Sequence, residues 1–153
     1  MVASVKMSTA EHTPSIRQAN EHDVQPICRF DHRAQTDDGT RRRFIAQAVA
    51  HGNCFVLTVV GRVVAYGVLE YSFFGCGFIA LIYVAAQRRR KGYATMLVRH
   101  MESLCRTPKL FTSTNLSNLR MQALLAKLGY ELSGVIHNLD EGDPELIYYK
   151  ALS

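Results

Sequence analysis

The four cysteines of the chain lie far apart, and no two of them have C-x-x-C spacing. This distribution argues against a zinc site and against a disulfide framework. The six histidines are scattered too, without an H-x-x-x-H pair, so the sequence indicates no metal. We expect the cysteines to behave as small apolar residues in a reducing cytoplasm. They are Cys28, Cys54, Cys76 and Cys105.

Long apolar runs are absent as well. The longest stretch, residues 78–86, suits a buried strand and is far too short to cross a membrane. Residues 1–13 contain no positive segment followed by an apolar one, so we expect a disordered polar leader and no signal peptide. The remaining residues, 14–153, show no repeat, low-complexity tract or linker, which predicts one domain.

Positive charge is concentrated in two runs. The chain has 18 Lys and Arg against 13 Asp and Glu, and residues 41–43 and 88–91 hold seven of these cations. Such runs attract nucleic acid, a membrane surface or a phosphorylated small molecule, although most are simply solvated faces. No stacking aromatics are interleaved with the cations, so nucleic acid is the least favoured partner. We expect no membrane partner either.

Hydrophobic periodicity predicts the element order β-α-α-β-β-β-α-β-α-β-β. This order is typical of the α/β class with a mixed sheet. The polar residues 31–40 between the first two helices are interpreted as a loop, and Gly61-Arg62 as a hairpin turn between two strands. In the helix that follows Gly92, one buried stripe is expected from Ala94, Leu97, Val98, Met101, Leu104 and Cys105. Either Ser117 or Asn115 is expected to cap the last helix. The predicted strands cover residues 15–19, 54–60, 62–73, 78–84, 109–114, 130–136 and 145–151, and the clearest helices cover 41–50 and the segment from 92 to Pro108.

A strand that ends at Val84 leads through a cationic turn containing glycine into a helix. The unpaired amides of the first helical turn and the positive end of the helix dipole both favour a phosphate group. Because Gly92 and Ala94 are small, a phosphate can approach the backbone closely. A strand-to-helix turn with a solvated basic edge is the alternative interpretation of this segment alone.

The pattern Val84-x-x-x-x-Arg89-x-x-Gly92-x-Ala94 resembles the pyrophosphate signature of the GNAT superfamily, Arg/Gln-x-x-Gly-x-Gly/Ala. The opening Ile16-Arg17-x-Ala19-x-x-x-Asp23 is similar to the family's first strand and helix cap. The segment from Asn118 to Tyr130 resembles the family's Asn-x-x-Ala…Tyr-x-Lys-Leu-Gly-Phe helix. The resemblance covers about residues 15–152.

This resemblance implies a single-domain α/β (α+β) GNAT fold with a mixed sheet of six to seven strands and about four helices. It also implies acetyl-CoA, or another acyl-CoA, as the donor for transfer to a primary amine by direct attack in a ternary complex. The strands that end at Val84 and begin near Lys109 are expected to splay apart and open a slot for the thioester, and the backbone N–H of Val84 is the expected oxyanion donor. The cofactor-binding residues implied by the family are Ile82, Tyr83, Val84, Arg89, Arg90, Lys91, Gly92, Tyr93, Ala94, Thr95 and Asn118. For Asn118 alone, a residue that only caps its own helix is the alternative interpretation.

Two departures from the family leave the proton-transfer groups open. The fourth strand carries no glutamate, so Glu70 on the preceding strand is the nearest candidate base, and an exposed strand residue is its alternative reading. Leu125 stands where relatives often have a tyrosine acid. Tyr83, Tyr130, Tyr148 or Tyr149 could substitute, or water could protonate the thiol.

Because the family's glutamate and tyrosine are missing, a non-catalytic acyl-CoA sensor is the alternative function. The acceptor is a small-molecule or peptide amine that the sequence does not identify. Residues 41–43 could favour an acidic acceptor, although a solvated helix face is the preferred interpretation. Dimers are common among similar proteins, so a homodimer is one expectation, with the last two strands as its pairing edges.

Overall fold

The computed structural model describes residues 13–153. All of the predicted leader except Thr13 therefore lies outside the described residues. Within them, none of the helices has the length and apolar character needed to span a membrane. The strands are β1 (Ser15–Gln18), β2 (Cys54–Val59), β3 (Arg62–Phe73), β4 (Cys76–Val84), β5 (Lys109–Asn115), β6 (Glu131–Ile136) and β7 (Glu145–Ala151). The helices are α1 (Val24–Phe30), α2 (His32–Thr36), α3 (Thr40–Ala50), α4 (Tyr93–Leu104) and α5 (Leu119–Lys127).

The seven strands form one mixed sheet in the order β1-β2-β3-β4-β5-β7-β6. Every neighbouring pair is antiparallel except β4 and β5, which run parallel. The predicted α/β class and mixed sheet are confirmed. The expectation that both of the last strands are edges is wrong for β7, because β7 lies between β5 and β6.

Two tight hairpins join β2, β3 and β4. Their central residues are Val60-Gly61 and Phe74-Gly75, and all four have φ between 51° and 73°. Two-residue turns with positive φ at both centres match the twist of antiparallel strands, and glycine adopts this conformation without strain. The first turn therefore lies one residue before the predicted Gly61-Arg62 turn.

The core divides into two clusters, one on each face of the sheet. On one face, α4 buries Leu97, Val98 and Met101 completely, as the helical period predicts. The close approach of α4 depends on Gly67 of β3, because a Cβ there would lie 2.8 Å from the Met101 Cε. The prediction was wrong at Leu104, which is 44% exposed.

The segment predicted as a loop between the first two helices contains α2. Asp31 caps this helix, since its Oδ1 accepts hydrogen bonds from the amides of Arg33 and Ala34 at 3.0 and 3.3 Å. The Asp37 carboxylate then accepts from the amides of Gly39 and Arg41 at the start of α3. The polar residues of this segment thus bind the backbone at the starts of two helices. Polar composition alone does not distinguish such residues from those of a loop.

Candidate active site

The sheet forks between β4 and β5. Parallel pairing covers only residues 77–79 of β4 and 110–112 of β5. At the last pair, the hydroxyl of Thr112 donates a hydrogen bond of 2.9 Å to the Ile79 carbonyl, which ends the shared ladder. The later residues of both strands diverge, so their backbone groups face an open gap. The predicted splaying of these two strands is present.

The backbone of Val84 points its N–H into this gap. Val84 faces Ala65 of β3, and the Ala85 amide donates to the Val64 carbonyl at 2.9 Å. That bond makes Val84 and Ala65 a non-hydrogen-bonded pair, in which both residues direct their N–H and C=O away from each other. Ile82 has the same orientation, because alternate residues of a strand repeat it.

The turn after β4 leaves a row of amides without acceptors. Within residues 13–153, no carbonyl or side chain accepts from the amides of residues 89–95. Gly92 precedes α4 with φ of 80°, provides no side-chain cap, and has open space around its Cα. This is the arrangement that binds a phosphate group at a helix N-terminus.

A cavity of about 450 Å³ opens onto these amides. We call it the basic cavity, because its lining includes Arg88, Arg89, Arg90 and Arg120 and no carboxylate among the described residues. Of the predicted cofactor residues, every one except Lys91 lines it. Arg88 and Arg120 were not predicted. Arg120 is distant from the turn in sequence, and it lines the cavity because the fold places the start of α5 beside the turn.

Arg89 is held against the end of β4. Its Nε donates a hydrogen bond of 3.1 Å to the Val84 carbonyl, and its guanidinium lies 5.6 Å from the centre of the Tyr83 ring. These contacts fix the arginine beside the gap.

A second cavity, of about 650 Å³, adjoins the first. We call it the acidic cavity, because Asp37, Asp38, Asp140 and Glu145 line it. The two cavities share four lining residues, Ile82, Tyr83, Asn118 and Met121. A reactant in one cavity can therefore meet a reactant in the other at the gap beside β4.

Asn118 caps α5, which was the alternative interpretation of this residue, and the prediction that Ser117 or Asn115 is the cap is wrong. Its Oδ1 accepts from the Met121 amide at 3.2 Å. Ser117 and Asn115 instead hold the segment before β7, through hydrogen bonds to the carboxylates of Asp143 and Asp140. Capping occupies only the carbonyl oxygen of Asn118, so its NH₂ group is left to donate into the cavities.

The fold does not bring Glu70 to the gap. Glu70 pairs with Phe78 and accepts a hydrogen bond from Ser72, whereas Val84 pairs with Ala65. Glu70 lies five positions from Ala65, which is about 16 Å along β3. Glu70 also lines neither cavity. This position leaves it too far from Val84 to take a proton directly from an amine beside that residue.

Among the four tyrosines considered as proton donors, Tyr83 alone lines the cavities. Its hydroxyl oxygen accepts a hydrogen bond of 3.2 Å from the His32 amide. The Tyr130 hydroxyl donates to Glu102, and burial together with this bond raises the pKa of Tyr130 well above its ordinary value. Leu125, in the position where relatives often carry a tyrosine, is buried in the core.

The cysteines do not contribute to the gap. Cys28 and Cys54 are buried, and burial raises the pKa of the Cys54 thiol to about 12. Cys105 contacts Thr107, and neither Cys76 nor Cys105 lines the two cavities. Groups of three or more His, Cys, Asp or Glu that could hold a metal are not found in residues 13–153.

Comparison with known proteins places the chain among the acetyltransferases. The model of the acetyltransferase (GNAT) family matches residues 16–130. A GNAT-family acetyltransferase from Bacillus cereus is 33% identical, with a TM-score of 0.85 over 92% of this chain and 99% of that one. The chain belongs to the GNAT family, which uses acetyl-CoA as its cofactor.

More distant structures share the fold. The ribosomal-protein-S18-alanine N-acetyltransferase of Escherichia coli is 18% identical, with a TM-score of 0.74 over 92% of this chain and 95% of that one. YncA of Salmonella typhimurium, solved with acetyl-CoA, is 17% identical, with a TM-score of 0.73 over 92% and 94%. A comparison with curated protein sequences found no match.

Proposed function

We propose that this protein transfers an acetyl group from acetyl-CoA to a primary amine, by direct attack of the amine while both reactants are bound. The observation that carries this proposal is the orientation of Val84, whose N–H points into the gap that joins the basic and acidic cavities. A donor at this position can stabilise the charge that develops on an acyl oxygen.

The basic cavity has the chemistry that coenzyme A requires. The free amides of residues 89–95 would bind the diphosphate, and Arg89 and Arg90 would add positive charge. The outward N–H and C=O of Ile82 would pair with the amides of the pantetheine arm, whereas the N–H of Val84 would serve the acyl oxygen and its carbonyl accepts from Arg89. Tyr83 and the NH₂ group of Asn118 would line the same arm, while exposed Lys91 would add long-range attraction only.

Acetyl-CoA supplies the acetyl group as a thioester, so no nucleophile is needed from the protein. The chain contributes position, since two reactants held in adjoining cavities react with effective molarities on the order of 10⁵ M or more. No carboxylate lies on β4, and Glu70 lies away from the gap. We therefore propose that the amine would lose its proton to water or to a carboxylate of the acidic cavity, that the C–S bond would break as the N–C bond forms, and that water would protonate the departing CoA thiolate, whereas Glu70 has no direct role.

The test is a turnover assay with the purified full chain. Acetyl-CoA is mixed with a panel of primary amines, free thiol is followed by absorbance, and mass spectrometry identifies an acetylated product. Product formation supports the proposal. Tight binding of acetyl-CoA with no product from any amine contradicts it and favours a sensor.

We also propose a cytoplasmic location and a homodimer. Four unpaired cysteines suit a reducing compartment. The edge strand β6 exposes Leu132, Val135 and Ile136, with exposed fractions of 56%, 47% and 40%, and such an edge can pair with a second copy. Size-exclusion chromatography with light scattering measures the mass of the protein in solution. A monomer mass at all protein concentrations contradicts the homodimer.

A further inference from the structure

The two cavities carry opposite charge. The basic cavity has four arginines and no carboxylate among the described residues that line it. The acidic cavity has four carboxylates, Asp37, Asp38, Asp140 and Glu145, against two arginines, Arg33 and Arg41. The whole chain carries a formal net charge of +5, so the acid excess of this cavity is opposite to the composition of the protein.

The positive charge near the acidic cavity is partly neutralised inside the protein. The Arg41 Nε lies 3.9 Å from the carboxylate of Asp31, which is fully buried. Arg42 and Arg43 are exposed and do not line the cavity. The cluster at residues 41–43 therefore gives no support to an acidic acceptor, and the field in the cavity is set by the carboxylates.

Glu145 differs from the other three carboxylates of this cavity. Asp37 and Asp38 accept hydrogen bonds from the backbone at the start of α3, and Asp140 accepts from Asn115. Glu145 is half-buried, and its carboxylate has no hydrogen-bond or ion-pair partner within residues 13–153. A partly buried carboxylate without a partner favours a cation from outside the protein.

The register of the sheet sets the distance of Glu145 from the gap. Glu145 is the first residue of β7 and pairs with Asn115, at the diverging end of β5. Two strand spacings, about 10 Å, would separate β7 from β4 in an unforked sheet, and the fork widens this distance. Glu145 is therefore placed to contact the far end of an acceptor whose amine lies beside Val84.

We propose that the acceptor is an amine with a second positive group, and that Glu145 binds that second group. This inference rests on the proposed function. The proposed function depends on the two adjoining cavities, and the substrate class depends on the charges that line the acidic cavity. Glu145 acts as a specificity-determining residue, because its contact is with the end of the substrate that does not react.

Three five-carbon amines test the inference, since their far ends carry a positive charge, no charge and a negative charge. These are 1,5-diaminopentane, n-pentylamine and 5-aminopentanoate. We expect kcat/KM to be highest for the diamine, roughly fivefold lower for pentylamine, and roughly fivefold lower again for the aminopentanoate. A factor of this size is what one partly screened charge pair contributes. In E145Q, kcat/KM for the diamine should fall roughly fivefold, so that its preference over pentylamine is lost.

The matched control is E141Q, because Glu141 is exposed in the preceding segment and lines neither cavity. It should keep the preference for the diamine. Equal rates for the three amines, or the same preference in E145Q as in wild type, would overturn the inference while acetyl transfer itself stands.

A binding measurement separates this inference from the proposed function. Calorimetry with 1,5-diaminopentane and the wild-type protein should give a binding heat that E145Q reduces. If no amine is acetylated and this heat is still found, the inference stands and the proposed function fails. If the diamine gives no heat, the inference is overturned, and the proposed function fails as well only if no amine of the panel gives product.

Discussion

The Tyr66 hydroxyl on β3 donates a hydrogen bond to the carboxylate of Asp31, and both side chains are buried. Asp31 also caps α2 and lies beside Arg41 of α3. These contacts connect the centre of the sheet to the two helices that form one wall of the acidic cavity. The shape of that wall thus depends on a buried polar group in the core.

Replacing Tyr66 by phenylalanine should lower the free energy of unfolding by about 1.5–3 kcal/mol, the typical value of a hydrogen bond to a charged group. The substitution keeps the ring and removes only the donor to Asp31. Urea denaturation at neutral pH measures the change. Tyr71→Phe is the matched control, because its hydroxyl accepts from the exposed amide of Arg106, and its effect should be clearly smaller. Equal losses in the two variants would contradict the importance of the Asp31 bond.

Stability should fall at alkaline pH. Burial, followed by the hydrogen bond to Asp31, raises the pKa of Tyr66 above its ordinary value of 10. The unfolded chain therefore loses this proton before the folded protein does, so the contribution to stability is complete below pH 10 and declines as the pH rises above it. Burial also raises the pKa of Tyr130, so its ionisation lowers stability at alkaline pH in the same way.

Thermal melting at pH 9 and at pH 11 checks this dependence. Wild type should lose more stability over that interval than Tyr66→Phe, which lacks the ionisable hydroxyl. Identical slopes for the two proteins would mean that Tyr66 does not carry the effect.

A carboxylate placed at the start of α4 should weaken acetyl-CoA binding without weakening the fold. Ala94 lies in the first turn of the helix, where a glutamate is favourable by about 0.3–1 kcal/mol. The same charge would repel the diphosphate, and we expect Ala94→Glu to bind acetyl-CoA at least about tenfold more weakly. Calorimetry measures the affinity. Gly92 is a poorer position, because its φ of 80° makes any side chain strained.

The control for this variant is Ala123→Glu, the same substitution at an exposed position of α5 that lines neither cavity. It should bind acetyl-CoA as wild type does. Unchanged affinity in a folded Ala94→Glu protein would show that the diphosphate lies elsewhere.

Local patterns carried most of the prediction of the fold. The stripe of α4 and the turn before it follow from neighbouring residues, so periodicity and small side chains were enough to find them. Residues 31–40 were mistaken for a loop, because the partners of Asp31 lie 35 and 10 positions away, at Tyr66 and Arg41. A sequence pattern does not reveal that a polar residue will be buried by distant contacts.

The residues of the candidate site also divide into those that a local pattern predicts and those that depend on long-range structure. The amides after β4 were predicted because a short segment contains them all. Glu145 was not predicted, since its position opposite Asn115 depends on the insertion of β7 between β5 and β6. Glu70 was selected for its nearness in sequence, and the register of β3 placed it away from the gap. Strand order and register are long-range properties.

Removing the N–H of Val84 should reduce turnover while the ladder of the sheet remains intact. This amide faces the gap and makes no bond to β3, so Val84→Pro costs no ladder hydrogen bond, and the preceding residue is already extended. Loss of one oxyanion donor typically lowers kcat by about 10²–10³-fold. Val84→Ala keeps the N–H and should retain most of the activity. We therefore expect a large fall in kcat for the proline variant alone, with acetyl-CoA affinity changed little by comparison. Similar kcat values for the two variants would show that this amide does not act on the acyl group.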